Sequence, residues 1–174
     1  MGTGCVIWLT GLPGSGKTTI ARILEKELRS RKERVEVLDG DAVRQGLSPT
    51  LGFSAEDRNL HNRRVIYISK LLERNGINVI VGLISPYRKT RAYARSELQR
   101  FVEVFVKASI DECVKRDPKG LYKKALAGEI RQFTGIDDPY EEPQSPEIIV
   151  DTERETPEEC AQKILNFMKQ QHYV

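Results

Sequence analysis

The sequence predicts an α/β fold: a three-layer sandwich of helices around a parallel sheet of about five strands, with a mobile lid. Three observations carry this. Short apolar runs at 5–10, 34–38, 77–83, 101–107 and 148–150 alternate with stretches of helical periodicity. A phosphate loop of the G-x-x-x-x-G-K-[ST] type joins the first run to the first helix. A charged, glycine-bracketed stretch, 117–138, breaks the alternation in the second half.

The elements follow in order. Cys5 to Thr10 is a buried strand that breaks into Gly11, Leu12, Pro13, Gly14, Ser15, Gly16, Lys17, Thr18 and Thr19. Glycines let the backbone wrap an anion with its N–H groups inward, and the following helix aims its positive end at the same phosphates. Lys17 is expected to reach the β- and γ-phosphates of a nucleoside triphosphate, and the Thr18 hydroxyl to hold Mg²⁺. Ile20, Ile23, Leu24 and Leu28 form the apolar face of that helix. The second strand ends in Asp39-Gly40-Asp41, which puts carboxylates at the carboxyl rim of a parallel sheet, where such folds bind ligands. Alone the triplet reads as a capped turn. Beside a phosphate loop it reads as a Mg²⁺ and substrate site.

Residues 42–50 read as a helical turn and loop containing Arg44. Ser54 followed by Asp57 caps a long helix, on which Arg58, His61, Val65, Ile68 and Leu72 share one stripe, polar at its start and aliphatic beyond. Phe53 lies just before the cap, a hydrophobic staple or a platform for a base. Asn75-Gly76 ends the helix. A third strand runs into Ile84-Ser85-Pro86, where serine then proline predicts an N-cap and first helical turn, with a polar helix continuing to Arg100. A fourth strand over 101–107 precedes a short helix at 111–116. The stretch 117–138 then suits a lid that closes over anions and excludes water. A last strand at 148–150 and a helix opened by Pro157 complete the chain.

Bulk properties narrow the function. A chain of 174 residues suits one domain, 1–174. The net charge of +3 is too small to argue for nucleic acid. Cys5, Cys113 and Cys160 are widely spaced in apolar contexts and read as buried thiols of a reducing cytosol. No apolar run approaches a membrane span, and the N-terminus lacks a signal-peptide pattern, so a cytoplasmic protein is expected. There is no Asn-Lys-x-Asp for guanine and no apolar strand ending in Asp-x-x-Gly. A small-molecule kinase of phosphate-loop type fits the length, the Asp-Gly-Asp and the lid.

The segments GLPGSGKTT, LDGDAVRQGL, LGFSAEDRN, ISPYRKTR and RDPKGLYKKALAGEIRQFTGIDDPYE resemble those of adenylyl-sulfate kinases, in the same order and at similar spacing, from about Val6 to Thr152. The resemblance implies phosphorylation of adenosine 5′-phosphosulfate by ATP in sulfate activation, a Mg²⁺ requirement, a homodimer and a functional link to ATP sulfurylase. It implies that Asp41 aligns the ribose 3′-hydroxyl and that Asp39 or Asp41 helps Thr18 order Mg²⁺. Arg44, Arg58 and Lys119 would hold the phosphosulfate, where a guanidinium fork suits a tetrahedral anion. Phe53 and Phe133 would sandwich the substrate adenine, Ile84 and Ser85 would line the same pocket, and Lys123 and Lys124 would be lid cations near the transferred group. Arg116 and the segment after Asp151 would flank the adenine of ATP. Ser85 is also marked as a candidate phosphorylated intermediate. Direct in-line transfer is expected instead, because Lys17, Mg²⁺ and an aligned hydroxyl suffice and a capping serine has no base to activate it. The chain departs from the family pattern at Ala42, where asparagine is usual, and at Leu60-His61, where Glu-Asn is common. His61 can replace that asparagine as a donor to substrate. The rival readings are another small-metabolite kinase of the same fold, such as a gluconate- or nucleotide-type kinase, against which the two phenylalanines speak because a sugar acid has no ring to stack, and a non-catalytic regulatory domain that binds adenylyl sulfate.

Overall fold

The computed structural model describes residues 3–174. Met1 and Gly2, counted in the domain expected over 1–174, lie outside the described residues. In chain order the elements are β1 (Val6–Thr10), α1 (Lys17–Ser30), β2 (Val35–Asp39), α2 (Gly40–Leu47), α3 (Ala55–Arg74), β3 (Asn78–Gly82), α4 (Arg88–Glu97), β4 (Phe101–Lys107), α5 (Ile110–Arg116), α6 (Leu121–Leu126), β5 (Ile148–Asp151) and α7 (Pro157–Gln170). The five strands form one parallel sheet in the order β2-β3-β1-β4-β5.

Every residue of β1 and β3 is buried, because helices cover both faces of the sheet. Strand alternation divides β1 between two cores. Ile7 and Leu9 pack with Leu24 and Leu28 of α1 and with Ile164 and Leu165 of α7. Val6 and Trp8 pack on the other face with Val65 and Ile66 of α3 and Ala94 of α4. All three cysteines are buried and free, as expected, and burial pushes the Cys5 thiol up to about 12.

Ser54 caps α3 as its spacing predicts, accepting Asp57 N–H at 3.1 Å. The expected cap at Ser85 is absent. Helix α4 begins at Arg88 after Tyr87, with no side-chain cap, and it ends at Glu97, short of Arg100. Ser85 instead adopts φ +44° and turns its hydroxyl into the core, where Trp8 Nε1 donates to it at 3.1 Å and it donates to Asn62 Oδ1 at 2.9 Å. The helix after Asp39 also exceeds the single turn expected, and Asp39 caps it by accepting Gly40 N–H at 2.9 Å.

The stretch 117–138 is folded down, with a small core of its own. Tyr122, Ala125 and Phe133 bury against Leu12 and Cys113. Its return end is bolted to the loop after β3: Glu141 N–H donates to Pro86 O at 2.9 Å, and Arg91, buried and paired with Glu103 at 2.8 Å, donates to the carbonyls of Ser85 and Glu141.

Candidate active site

The carboxyl ends of β1, β2 and β3 converge on the phosphate loop. Gly11 has no room for a side chain, since a Cβ there would lie 2.4 Å from Val106 O. Gly16 carries φ +102° at the start of α1, a conformation that favours glycine. Lys17 folds back over the loop and donates to the carbonyls of Gly11 and Leu12 at 2.8 and 2.7 Å. Burial pulls its ammonium down to about 8, the Cys113 and Asp39 sites oppose that fall, and the Lys119 charge adds to it.

That depressed value sets a pH dependence. Between about pH 8 and the ordinary lysine value of 10.5 the folded protein holds Lys17 neutral. An anion bound against it favours the charged form and returns the proton. Nucleotide binding at pH 9 is therefore expected to take up a proton, and affinity to fall as pH rises through about 8. Calorimetric titrations at pH 9 in two buffers of different ionisation enthalpy check this, and a binding heat independent of buffer counts against it. For stability the sign is opposite. In the same window the unfolded chain binds the proton that the folded chain lacks, so this group's contribution improves as pH rises.

Thr18 Oγ1 donates to the Asp39 carboxylate at 3.1 and 3.3 Å from its two oxygens. Mg²⁺ takes hard oxygen ligands and relies on water and substrate phosphates for the rest of its shell. A hydroxyl beside a carboxylate at the phosphate loop fits that chemistry. Among the described residues no group of three or more His, Cys, Asp or Glu forms a metal cage, so any metal here would lean on phosphate and water.

Asp41, Arg44, Phe53 and Ile84 stand at the same rim. Asp41, in the first turn of α2, is exposed and pairs with Lys119 of the lid. Arg44 donates to Gly52 O, and its guanidinium stacks 4.5 Å from the centre of the Phe53 ring. Phe53 is 60% exposed, a bare aromatic face. Burial, then the neighbouring Arg58 charge, lower the Arg44 pKa, and such crowding of like charge suits an anion site. Ile84 is half-buried, and its carbonyl accepts Thr10 Oγ1 at 2.7 Å.

Several expected site residues are placed differently. Arg58 is buried, and its donors are already taken: Nε by Phe53 O at 2.8 Å, Nη1 by Asp138 at 3.1 Å and by Thr134, and Nη2 by Gln132 O. It clasps the lid to α3. To grip an anion it must exchange those bonds. Phe133 is no open platform either. It is buried, with its ring edge-on to Tyr122 at 5.0 Å. Arg58 nonetheless brings the backbones on either side of the cleft together, since it bonds both Phe53 and Gln132. Lys123 and Lys124 are exposed on α6. Arg116 clamps Thr152 through Oγ1 at 3.0 Å and O at 2.8 Å, and Thr152 in turn donates to Ser15 O at 3.0 Å. The segment after Asp151 thus lies beside the phosphate loop, as expected. A cleft of about 550 Å³ behind the lid, between Leu12, Ile110 and Ile136, is lined by none of Lys17, Thr18, Asp39 and Asp41. Chemistry and not cavity size marks the site.

Sequence reasoning missed Tyr122, whose hydroxyl donates to Pro13 O at 2.8 Å and seats the lid on the phosphate loop. It also missed Asp138, which takes both Arg58 and the Tyr87 hydroxyl, the latter at 3.1 Å, and Asn62, the partner of Ser85. Their partners lie 23 to 109 residues away, so no spacing could have revealed them.

Ser85 does not look like a phosphoryl acceptor. It is 2% exposed, and its one proton is donated to Asn62. Ser85→Ala is expected to keep kcat within about tenfold of the parent, whereas deleting a covalent nucleophile costs on the order of a thousandfold or more. The same change leaves Trp8 Nε1 and Asn62 Oδ1 unpaired and is expected to cost about 1–3 kcal/mol of stability. Steady-state kinetics and denaturant unfolding read the two effects separately.

A family model described as adenylylsulphate kinase matches residues 3–151. The chain belongs to the adenylylsulphate kinase family. It is 54% identical over 171 residues to a probable adenylyl-sulfate kinase of Pyrococcus abyssi, a match that covers 98% of each chain. It is 54% identical over 172 residues to a probable bifunctional SAT/APS kinase of Sorangium cellulosum, covering 99% of this chain and 30% of that one. Its structure superposes on the Mycobacterium tuberculosis APS kinase CysC in complex with AMPPNP and APS with a TM-score of 0.94, at 40% identity, covering 97% of this chain and 99% of that. In this member of the family, hydrogen bonds join the phosphate loop to the Asp39-Gly40-Asp41 rim and to the segment 117–138: Thr18 to Asp39, Lys119 to Asp41 and Tyr122 to Pro13.

Proposed function

We propose that the chain, acting as one domain over 1–174, transfers the γ-phosphoryl group of ATP to the ribose 3′-hydroxyl of adenosine 5′-phosphosulfate. The products are ADP and 3′-phosphoadenosine 5′-phosphosulfate, the activated form of sulfate. The observation that carries this is the pairing of Thr18 with Asp39 at the phosphate loop, next along the chain to Asp41 and to the Arg44–Phe53 stack, in a chain of this family.

In the transfer a bond forms between the 3′-oxygen and the γ-phosphorus while the bond to the β,γ-bridging oxygen breaks. Lys17 leaves the carbonyls of Gly11 and Leu12 to neutralise charge on the phosphates. Asp41 leaves Lys119, orients the 3′-hydroxyl and accepts its proton. Thr18 and Asp39 would hold Mg²⁺, which supplies charge neutralisation on the phosphate oxygens. Arg44 and Lys119 hold the phosphosulfate, joined by Arg58 once it exchanges its lid acceptors. Phe53 stacks on the substrate adenine from one side, and Phe133 completes the clamp if its ring leaves Tyr122. Arg116 packs against the adenine of ATP. The segment 117–138 is a lid that opens for exchange and excludes water when closed, with Lys123 and Lys124 near the transferred group.

The reading extends to the setting. A homodimer is supported by the family resemblance and by Leu60 and Tyr67, one above the other on α3 and 43% and 63% exposed. The bifunctional Sorangium relative supports a functional link to ATP sulfurylase. No helix among the described residues is long and apolar enough to cross a membrane, which is in keeping with a cytoplasmic enzyme.

The test mixes the protein with Mg-ATP and adenosine 5′-phosphosulfate and follows ADP, with adenosine 5′-monophosphate and gluconate as control acceptors. Turnover with the phosphosulfate alone is expected. Turnover with gluconate would move the chain to another metabolite kinase. Tight nucleotide binding without turnover would make it a regulatory domain, a reading that the intact Lys17, Thr18 and Asp41 argue against.

A further inference from the structure

Thr10 closes β1 and stands one residue before the phosphate loop. It is fully buried, and the four residues before it in the strand are apolar. A hydroxyl in such a place calls for partners. Thr10 Oγ1 donates to Ile84 O at 2.7 Å and lies 2.9 Å from the Tyr140 hydroxyl. Proton counting gives the second bond its direction. A carbonyl only accepts and a threonine hydroxyl has one proton. Thr10 gives that proton to Ile84, so Tyr140 is the donor to Thr10. Burial pushes the Tyr140 phenol up to about 12, so it keeps the proton it donates. The Thr10 hydroxyl thereby joins the strand that becomes the phosphate loop, the loop after β3 and the chain that returns from the segment 117–138.

The return is fixed to the sheet at this point. The Tyr140 ring stacks on Phe105 of β4, with centroids 6.1 Å apart. Arg91, buried and paired with Glu103, lies 5.8 Å from the centre of the same ring and donates to Glu141 O. Glu141 N–H donates to Pro86 O at 2.9 Å, and the Glu141 carboxylate accepts Arg88 N–H at 2.7 Å. Just upstream the backbone bends sharply, at Gln132 with φ +56° and Gly135 with φ +94°, where a few residues can absorb a rotation. On the other side of Thr10 the next carbonyl, Gly11 O, holds Lys17 Nζ at 2.8 Å. We infer that Tyr140 and Thr10 are positioning residues: their bond fixes the root of the 117–138 lid to the strand that carries the phosphate loop, so that the closing lid meets the nucleotide in register and transfer outruns hydrolysis. The inference rests on the kinase reading of the site. A lid whose root has slipped closes off-register and admits water beside the γ-phosphate.

Thr10→Val keeps the shape and removes both bonds of the hydroxyl. Tyr140→Phe keeps the ring on Phe105 and removes only the phenol. With Mg-ATP and adenosine 5′-phosphosulfate, ADP and 3′-phosphorylated product are counted together, and the parent is expected to make them in equal amounts. Each variant is expected to lower kcat for transfer about tenfold, within the reach of a small misplacement remote from the chemistry. Each is also expected to make about twofold more ADP than product as water enters, with KM for ATP within about twofold of the parent. Thr10→Ser keeps the hydroxyl and is expected to restore the balance. The double variant is expected to leak no more than Thr10→Val, because both changes break one bond. A fall in Tm with ADP and product still equal makes the bond structural alone and overturns the inference, and so do leaks that multiply in the double variant. Amide hydrogen exchange separates this outcome from that of the kinase reading. Glu141 N–H is expected to be protected in the parent with or without Mg-ADP, and to exchange about tenfold faster in both variants. Unchanged exchange overturns the anchor even in an enzyme that turns over. Faster exchange in a chain whose parent does not phosphorylate adenosine 5′-phosphosulfate keeps the anchor and removes the kinase reading.

Discussion

Asp41→Asn is expected to lower kcat about a thousandfold, within the range for loss of a positioned proton acceptor, while the fold and nucleotide affinity stay in place. The carboxylate is exposed, and its one charged partner, Lys119, is exposed as well. Such a pair contributes at most about 1 kcal/mol to stability, and asparagine remains tolerable in the first turn of α2. The loss should therefore fall on chemistry. Rapid-quench single turnover at saturating substrates isolates that step, and melting with and without ADP reads fold and binding. A single-turnover rate within tenfold of the parent would remove Asp41 from the reaction and leave alignment of the 3′-hydroxyl to other groups. Under the proposed function, Asp41 exchanges its weak contact with Lys119 for the ribose hydroxyl as the lysine turns to the phosphosulfate of the same substrate.

Arg58→Met is expected to damage both stability and substrate binding. The side chain is buried and joins Phe53, Gln132, Thr134 and Asp138. Removing it leaves the half-buried Asp138 carboxylate with the Tyr87 hydroxyl but no counter-charge, and two carbonyls without their donor, at a cost of about 3–5 kcal/mol. For a chain of this size that corresponds to a fall in Tm of roughly 10 °C. KM for adenosine 5′-phosphosulfate should rise about a hundredfold or more, as expected when a hydrogen-bonded charge contact to an anion is lost. Arg58→Lys separates the two roles. It keeps one charge but cannot reproduce the planar fork, so part of the stability returns and the bidentate grip does not. A variant with parental Tm would show that the clasp between α3 and the lid contributes nothing to the fold. A parental KM would show that Arg58 serves the lid alone.

The parts of the site that lie within a few residues of one another were legible in advance. Gly11 to Thr18 carries its geometry in its own composition, because the glycines, the lysine and the threonine act on one bound group. Ser54 with Asp57 marks a helix start, because a cap and its N–H are three residues apart. Ser85 shows the limit of local reading. Ser-Pro has the chemistry of a helix start, yet two buried polar groups from other elements, Trp8 Nε1 and Asn62 Oδ1, compete for the hydroxyl and win. An unsatisfied indole N–H in the core is costly, whereas a helix beginning at exposed Arg88 can be hydrated. The burial of Phe133 was hidden for a similar reason. Its loop looks solvated, but Tyr122 and Leu12 build a small apolar core beneath it.

By itself, the sequence determined the α/β alternation, the phosphate loop with Lys17 and Thr18, the carboxylates at the end of β2 and the family to which these belong. Each is encoded by periodicity or by neighbours along the chain. Only the tertiary structure decided that Arg58 clasps the segment 132–138 to α3, that Ser85 is a buried strut, that Lys119 pairs with Asp41 and that Tyr122 seats α6 on the phosphate loop. Those outcomes depend on which distant donors and acceptors lose water together, and that is settled only when the layers pack.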